Sequence, residues 1–198
     1  MERAIAALKR GELVAFPTDT VYGIAALGSD DRAVARLYQV KQRPLDKAIP
    51  LFLARTDDLP QVAADISPAA WRLARRFWPG PLTMVLKKAP SVSSLVTAGG
   101  ETVAVRVPDH PVALALVEGV GGPLAVTSAN ISGAGSVATA EEVAGQLGGH
   151  VELVIDVGPV PMGKESTIVD VSGERAVLLR EGALSWQEVL EVCEGKSA

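Results

Sequence analysis

The chain has 198 residues, of which 48% are hydrophobic, 21% charged and 4% aromatic, and its formal net charge is −4. This composition excludes a disordered chain and, because 19 Lys and Arg face 23 Asp and Glu, a basic protein that coats nucleic acid. The single cysteine excludes a disulfide framework and a cysteine-based zinc site, and no apolar run approaches the roughly 20 residues that span a bilayer. We expect one cytoplasmic domain over residues 1–198, with no membrane association, signal peptide or additional C-terminal domain.

Apolar periodicity and turn residues predict helices and strands that alternate irregularly along the chain. Helices are expected at about 2–10, 31–41, 68–78, 111–118 and 140–148, and a last one begins after Ser185. Strands are expected at 13–16, 24–27, 49–53, 82–86, 103–107, 124–127, 153–157, 167–171 and 177–179. Because strict βαβ alternation is missing, the order predicts an α/β fold with a mixed sheet flanked by helices.

Capping residues mark several of the predicted helix starts. Ser29 or Asp30 is expected to cap the second helix, and Ser67, followed by proline, the third. Residues 139–142 (Thr-Ala-Glu-Glu) and the pair Ser185 and Glu188 have the spacing of capping boxes.

One phosphate-binding motif occurs by chance. Gly158-Pro-Val-Pro-Met-Gly163-Lys164 matches the first seven positions of a P-loop, GxxxxGK. Pro159 and Pro161 lack the N–H groups that bind phosphate in such a loop, and Glu165 replaces the magnesium-binding hydroxyl. The following residues 166–171 have the pattern of a strand rather than a helix. We interpret the match as a false positive.

The sequence contains no obvious nucleophile with its base. Its two histidines, His110 and His150, lie before a predicted helix and in a glycine-rich turn, and no GxSxG elbow is present. Cys193 lies on the apolar face of the last predicted helix and is expected to pack in the core. An enzyme with this sequence would therefore work by positioning and electrostatics.

Three cations lie where the second predicted helix ends, in Lys41-Gln-Arg43-Pro-Leu-Asp-Lys47. Pro44 favours extended backbone at Arg43, so Lys41 and Arg43 are expected to project to a similar side. Such a pair can bind a polyphosphate, with the arginine as a fork and the lysine as a point charge. The alternative is that these cations only complement the helix macrodipole.

Polar residues also follow a predicted strand in Thr127-Ser-Ala-Asn130, and Asn130 is the only asparagine of the chain. Open α/β sheets bind ligands just beyond strand ends, where a hydroxyl and an amide could contact a phosphate or an adenine edge. An ordinary turn is the alternative, because Ser and Asn favour turns.

Two arginines occur within apolar strands. Arg106 lies in Thr102-Val-Ala-Val-Arg106, and Arg180 ends Leu178-Leu-Arg180. A buried arginine requires an anionic partner, which is either a carboxylate of the chain or a bound ligand. Together with the cations at 41, 43 and 47, these residues predict a cationic pocket for polyphosphate or carboxylate ligands.

Six motifs together resemble those of the YrdC-like family of threonylcarbamoyl-AMP synthases. In chain order they are Pro17-Thr-Asp-Thr-Val-Tyr-Gly23, Lys41-Gln-Arg43-Pro44, Ala104-Val-Arg106-Val-Pro108, Ser128-Ala-Asn130-Ile-Ser-Gly133, Glu165-Ser-Thr167 and Arg180-Glu-Gly182. Each motif is weak alone, but six in this order are specific. The resemblance extends over nearly the whole chain, from about Arg3 to Gly182, and matches the short bacterial form.

The resemblance implies a twisted mixed α/β sheet around a central cationic cavity. It implies that L-threonine, bicarbonate and ATP are condensed to threonylcarbamoyl-AMP and pyrophosphate, with Mg²⁺ bound to the triphosphate rather than to a protein site. A separate transferase complex would then move the threonylcarbamoyl group onto an adenosine of tRNA. Clustered cations suit this reaction, because a carbamate anion must approach the α-phosphate.

The resemblance also implies roles for individual residues. Lys41 and Arg43 are expected to be catalytic, with Lys41 along the phosphate channel. Contacts to ATP or the adenylate are expected from Arg43, Lys47, Thr102, Ser128, Asn130 and Arg180. Contacts to threonine are expected from Thr20, Arg106, Thr127 and Ser166. Some longer relatives have a histidine where this chain has Phe52, so that contact is absent or replaced here.

Two other functions are compatible with parts of the pattern. The first is a module that binds double-stranded RNA through the cationic cavity, against which the acidic composition and the few aromatic residues argue. Weak RNA binding is also expected beside the synthase activity. The second is a carbamoyl-adenylate domain like that of hydrogenase-maturation proteins, for which carbamoyl phosphate would be the substrate.

Overall fold

Capping residues set the starts of most helices, as the sequence predicts. Asp30, rather than Ser29, caps the second helix by accepting hydrogen bonds from two backbone amides. The side chain of Ser67 caps the third helix, and both predicted capping boxes, at 139–142 and 185–188, are formed. The structure, a computed structural model, describes residues 1–160 and 164–195.

The helices are α1 (Glu2–Lys9), α2 (Asp31–Lys41), α3 (Pro68–Phe77), α4 (Pro111–Val120), α5 (Ala140–Leu147) and α6 (Trp186–Cys193). The strands are β1 (Val14–Phe16), β2 (Gly23–Leu27), β3 (Leu51–Phe52), β4 (Leu82–Lys87), β5 (Thr102–Arg106), β6 (Leu124–Ser128), β7 (Leu153–Val154), β8 (Thr167–Asp170) and β9 (Val177–Arg180). A 3₁₀ helix at Thr56–Gln61, which the sequence analysis did not predict, precedes α3.

The nine strands that the structure describes pair into one mixed sheet in the order β7-β1-β2-β6-β3-β5-β4-β8-β9. The pairs β7–β1, β3–β5 and β4–β8 are parallel, and the other five are antiparallel. The predicted mixed sheet is therefore confirmed, and residues far apart in the sequence become neighbours in its centre.

Helices pack on both faces of this sheet. On one face α1 and α4 form a hydrophobic cluster with β1, β2 and β6, in which Leu8, Leu116 and Val126 are buried. The other four helices contribute buried residues to the larger cluster, among them Leu37 of α2 and Leu73 of α3. The sheet therefore has a core on each side.

Two strands are shorter than predicted by three residues each. The strand expected at 49–53 is reduced to β3, because Pro50 has no N–H to donate and the amide of Ile49 bonds to Val96 outside the sheet. The strand expected at 153–157 ends at Val154, because the side chain of Asp156 accepts a hydrogen bond from Gly158 and forms a turn.

The GxxxxGK match includes residues 161–163, which lie outside the described residues. Pro161 and Gly163 are two of these three residues. Residues 167–170 form β8, so a strand and not a helix follows the match. This agrees with its interpretation as a false positive.

Candidate functional site

A cavity of about 320 Å³ lies over one face of the sheet. Strands β4 and β5 provide alternate residues, Thr83 and Val85 and then Ala104 and Arg106, because successive side chains of a strand point to opposite faces. The ends of β6 and β9 provide the successive residues 126–128 and 179–180, and Gly23 (β2), Phe52 (β3) and Ile168 (β8) also line the cavity. Connecting segments add Thr18, Thr20, Arg43, Glu165 and Ser166. Among the described lining residues, three arginines face one carboxylate.

Arg106 is the most deeply buried cation of the cavity, with 3% of its surface exposed. Its Nε donates to the carbonyl oxygen of Gly80 at 3.0 Å, Nη1 to Oγ1 of Thr20 at 3.0 Å, and Nη2 to Oδ1 of Asp19 at 2.6 Å. The guanidinium also lies 5.5 Å from the ring centre of Phe52. Two of its five N–H groups have no partner among the described residues, so the guanidinium can still bind a carboxylate.

Burial lowers the pKa of Arg106, and the negative charge of Asp19 counteracts this effect. The Oδ2 atom of Asp19 is buried and has no hydrogen-bond partner among the described residues. Arg106 therefore has a carboxylate of the chain as its partner. This is one of the two kinds of partner, a carboxylate or a ligand, that the sequence predicts for a buried strand arginine.

The loop after β1 carries a local network of hydroxyl groups. The Oγ1 atoms of Thr18 and Thr20 are 3.0 Å apart, and Oγ1 of Thr18 donates to the carbonyl of Val21 at 2.7 Å. The backbone amides of Thr20 and Val21 donate to the same Thr18 oxygen. The network holds the Thr20 hydroxyl at the cavity wall beside Arg106.

Arg180 contacts the segment that precedes β8. Its Nε and Nη2 donate to the carbonyl of Ser166 at 3.1 and 2.9 Å, and Nη1 forms an ion pair with Glu165. Glu165 also accepts a hydrogen bond from Ser136 at 3.2 Å. The hydroxyl of Ser166 lies 2.9 Å from that of Thr83. Ser166 and Arg180 therefore form one wall of the cavity.

Arg43 lines the cavity from the segment that follows α2. The preceding Gln42 adopts the left-handed conformation (φ 49°) and ends α2. The guanidinium donates from Nε to the carbonyl of Lys47 at 2.9 Å and from Nη2 to that of Ala48 at 2.6 Å. Two carbonyls thus fix its direction, and burial lowers the pKa of Arg43.

Lys41 does not belong to the cavity lining. Its ammonium group, on a residue only 1% exposed, donates to the backbone carbonyls of Ser128 and Asn130, and Oδ1 of Asn130 is 3.3 Å away. Its own carbonyl accepts from the amide of Ser132 at 2.9 Å. Burial, with a smaller effect from the charge of Arg43, lowers the pKa of Lys41 to about 8. Lys41 therefore ties α2 to the loop after β6.

Asn130 is buried in that loop. Its Nδ2 donates to the carbonyls of Ile131 at 3.0 Å and Ala134 at 2.7 Å, so both amide hydrogens stabilise the turn. Ser128 and Thr127, at the end of β6, line the cavity.

The two remaining predicted residues lie at the margin. Lys47 is exposed and outside the cavity lining. Thr102 begins β5 on the same face as Ala104 and Arg106, at the outer end of that row.

Three residues of the site, Asp19, Thr18 and Glu165, have no role predicted from the sequence. The need of each strand arginine for an anionic partner is a usable signal for two of them, because Asp19 and Glu165 are carboxylates within two of the six motifs. No sequence pattern predicted the hydroxyl network of Thr18.

The described residues contain no group of three or more His, Cys, Asp or Glu that could hold a metal ion. The one carboxylate of the described lining, Glu165, is engaged by Arg180. None of the helices that the structure describes is long and apolar enough to cross a membrane.

Comparisons with known proteins agree with this fold. A family model named Sua5_yciO_yrdC, described as telomere recombination, matches residues 6–182. A protein of Pyrococcus abyssi named threonylcarbamoyl-AMP synthase is 44% identical over 93% of this chain and 54% of its own length. A protein of Vibrio vulnificus with the same name is 38% identical over 92% of this chain and 98% of its own length.

The crystal structure of P. abyssi Sua5 complexed with L-threonine is also similar. It has a TM-score of 0.94 and 44% identity, over 96% of this chain and 56% of that one. The chain thus spans about half the length of the P. abyssi relative. Since the family model matches nearly the whole chain, the protein belongs to the Sua5/YciO/YrdC family.

Proposed function

We propose that this protein condenses L-threonine, bicarbonate and ATP to threonylcarbamoyl-AMP and pyrophosphate. One observation carries the proposal: Arg43, Arg106 and Arg180 converge on one cavity with the hydroxyls of Thr20 and Ser166. The names of the two relatives and the threonine complex of P. abyssi Sua5 support it.

In the proposed reaction the amine of threonine attacks the carbon of bicarbonate, and a carbamate forms with loss of water. A carbamate oxygen then attacks the α-phosphorus of ATP, and the bond from that phosphorus to the pyrophosphate oxygen breaks. Both partners of the second step are anions, so the protein must neutralise charge and align the groups. No protein nucleophile is required.

Arg106 is assigned to the carboxylate of threonine, because its two remaining N–H groups suit a bidentate contact in a buried site. Thr20, Thr127 and Ser166 are assigned to other atoms of threonine. Arg43, Ser128 and Arg180, which also line the cavity, are assigned to ATP or the adenylate.

Four further residues are assigned to the part of the site that would bind ATP. Lys41 and Asn130 are proposed to shape the phosphate side of the site through the loop after β6, to which both bond. Lys47 and Thr102 are assigned to the outer part of ATP.

We propose that magnesium is held by the triphosphate, since Glu165, the one carboxylate among the described lining residues, is paired with Arg180. When bound, the ion would neutralise phosphate charge.

The proposed partners beyond the substrates follow from the product. A threonylcarbamoyl transferase complex would consume threonylcarbamoyl-AMP to modify tRNA in the cytoplasm. We also propose that the chain itself binds RNA only weakly, because its net charge is −4.

The direct test measures pyrophosphate release by the purified protein with ATP, Mg²⁺ and bicarbonate, with and without L-threonine. We expect release that depends on threonine, is weaker with serine, and is absent when carbamoyl phosphate replaces bicarbonate and threonine. Release without threonine, or release driven by carbamoyl phosphate, would contradict the proposed substrates.

A variant pair tests the site. We expect Arg43→Ala to lower the rate at least about 100-fold, the range for loss of an electrostatic contact in a transition state. Arg32→Ala removes an exposed arginine from α2 of the same region and serves as the control, with a rate close to that of the wild type. Equal rates for the two variants would refute the assignment of Arg43.

A further inference from the structure

The hydroxyl of Thr18 has a fixed hydrogen-bond direction. Its Oγ1 lies 2.7 Å from the carbonyl oxygen of Val21, which can only accept, so the single hydrogen of this hydroxyl points to Val21. The backbone amides of Thr20 and Val21 lie 3.1 and 3.3 Å from the same oxygen and can only donate. Thr18 therefore has no hydrogen left for another contact.

The hydrogen bond from Thr18 to Val21 also determines the direction of the neighbouring hydroxyl. The Oγ1 atoms of Thr18 and Thr20 are 3.0 Å apart, which is hydrogen-bond distance. Because the hydrogen of Thr18 is used, only Thr20 can donate in this contact, and it shares the two lone pairs of Thr18 with the two amides, of which that of Val21 is the more distant. Thr20 also accepts a hydrogen bond from Nη1 of Arg106 at 3.0 Å. Its hydroxyl is left with one lone pair and no hydrogen for the cavity.

We infer that Thr18 is a positioning residue that makes Thr20 a pure hydrogen-bond acceptor toward the substrate. The substrate group at Thr20 must then bring its own hydrogen, as an amino or hydroxyl group does and a carboxylate or phosphate oxygen does not. This inference rests on the proposed function and deepens it, because it sets which part of the amino acid can lie there.

The neighbouring contacts give the site a defined polarity. Arg106, 3.0 Å from Thr20, offers only donors, so it attracts the carboxylate, and Thr20 accepts from the donor group beside that carboxylate. Misplacing the amino acid would set an acceptor against Thr20 and would leave two lone pairs facing each other. The pair therefore selects one orientation of an α-amino acid.

The hydroxyl pair on the other wall is different. Either Thr83 or Ser166 can be the donor in their 2.9 Å contact, and no carbonyl fixes the direction. Ser166 can thus adapt to a donor or an acceptor on the ligand. The fixed direction is a property of Thr20 and arises from Thr18.

A double-mutant cycle tests the inference, with L-threonine affinity measured by calorimetry in the presence of a non-hydrolysable ATP analogue. We expect Thr18→Val to weaken threonine binding about 5- to 10-fold, as loss of a buried hydrogen-bond partner does, and Thr18→Ser to restore it to within about twofold. In a Thr20→Val background, Thr18→Val should have less than about a twofold effect, because Thr18 acts through Thr20. Unchanged affinity for the ATP analogue shows that each variant is folded.

Equal effects of Thr18→Val in both backgrounds, or failure of serine to restore binding, would overturn the inference. Repeating the cycle with L-2-aminobutyrate, which lacks the hydroxyl, separates the two donors. The coupling persists if the amino group contacts Thr20 and disappears if the hydroxyl does.

A second readout needs no substrate. We expect the hydroxyl proton of Thr20 to exchange slowly with water in NMR spectra, to show a nuclear Overhauser effect to Thr18, and to become unobservable in Thr18→Val. A rapidly exchanging proton in the wild type would overturn the fixed direction. A protected proton together with no threonine binding by the wild type would instead contradict the proposed function, and with it the role of Thr20 toward substrate.

Discussion

Arg106 and Asp19 form an ion pair of 2.6 Å in which only 4% and 8% of the two side chains are exposed. The pair joins a central strand to the loop that carries Thr18 and Thr20. We expect Asp19→Asn to lower the free energy of unfolding by about 3 kcal/mol, because it leaves a buried arginine without its counter-charge. Urea unfolding measures this effect. A loss below about 0.5 kcal/mol, typical of surface changes, would show that the pair does not stabilise the fold.

The buried ammonium of Lys41 predicts a pH dependence. Its pKa is about 8 in the folded chain, against an ordinary value of 10.5. Between these values the unfolded chain binds more protons, so the contribution of Lys41 to stability increases as pH rises from about 8 to 10.5. The ¹³Cε signal of Lys41, assigned through Lys41→Met, should titrate near pH 8. Titration at or above 10.5 would contradict the lowered pKa.

The hydrogen bonds of Asn130 to two backbone carbonyls predict that its substitution impairs function through the backbone. We expect Asn130→Ala to destabilise the protein by about 2 kcal/mol, because two carbonyls lose their donors, and to abolish threonine-dependent pyrophosphate release. Equilibrium unfolding and the release assay measure the two effects. Full activity in this variant would show that the turn is not needed for the site.

The ion pair of Glu165 with Arg180 predicts that the glutamate competes with anionic ligands. We expect Glu165→Gln to bind pyrophosphate about fivefold more tightly, which corresponds to the roughly 1 kcal/mol of a partly exposed ion pair. The matched control is Glu174→Gln, an exposed glutamate in the turn between β8 and β9. Weaker pyrophosphate binding by Glu165→Gln would mean that the carboxylate orients Arg180 for the ligand instead.

Gly182 predicts a steric effect on the same wall. A Cβ at this position would lie 2.3 Å from the carbonyl oxygen of Glu165 and 2.5 Å from the carbonyl of Ser166. We expect Gly182→Ala to displace this segment, with a loss of about 2 kcal/mol of stability and of threonine binding. Gly173→Ala, whose Cβ would meet nothing within 4 Å, should change stability by less than about 0.5 kcal/mol.

Local sequence signals account well for the elements of the fold. Capping residues and apolar alternation predict helix α2 to the residue and most strands to within one or two residues. They fail where a bond outside the element decides its end, as at Ile49, whose amide pairs with Val96. They also give no sign of the 3₁₀ helix at Thr56–Gln61.

The residues of the candidate site were predicted by resemblance to a family and not by local sequence signals. Motif resemblance named Thr20, Arg106, Ser166 and Arg180, and the structure brings all four to one cavity. Resemblance could not tell that Lys41 points into a loop of carbonyls, because that direction depends on where β6 ends in space. The direction of a hydroxyl proton depends on three-dimensional contacts in the same way.

The order of strands has a consequence for the synthesis of the protein. Arg180 ends β9, which is the last strand of the sheet to be translated, and it pairs with β8 at the sheet edge. Arg43 and Arg106 leave the ribosome much earlier. A nascent chain that ends before β9 thus carries only two of the three arginines of the cavity, so the candidate site is completed only once β9 has been translated.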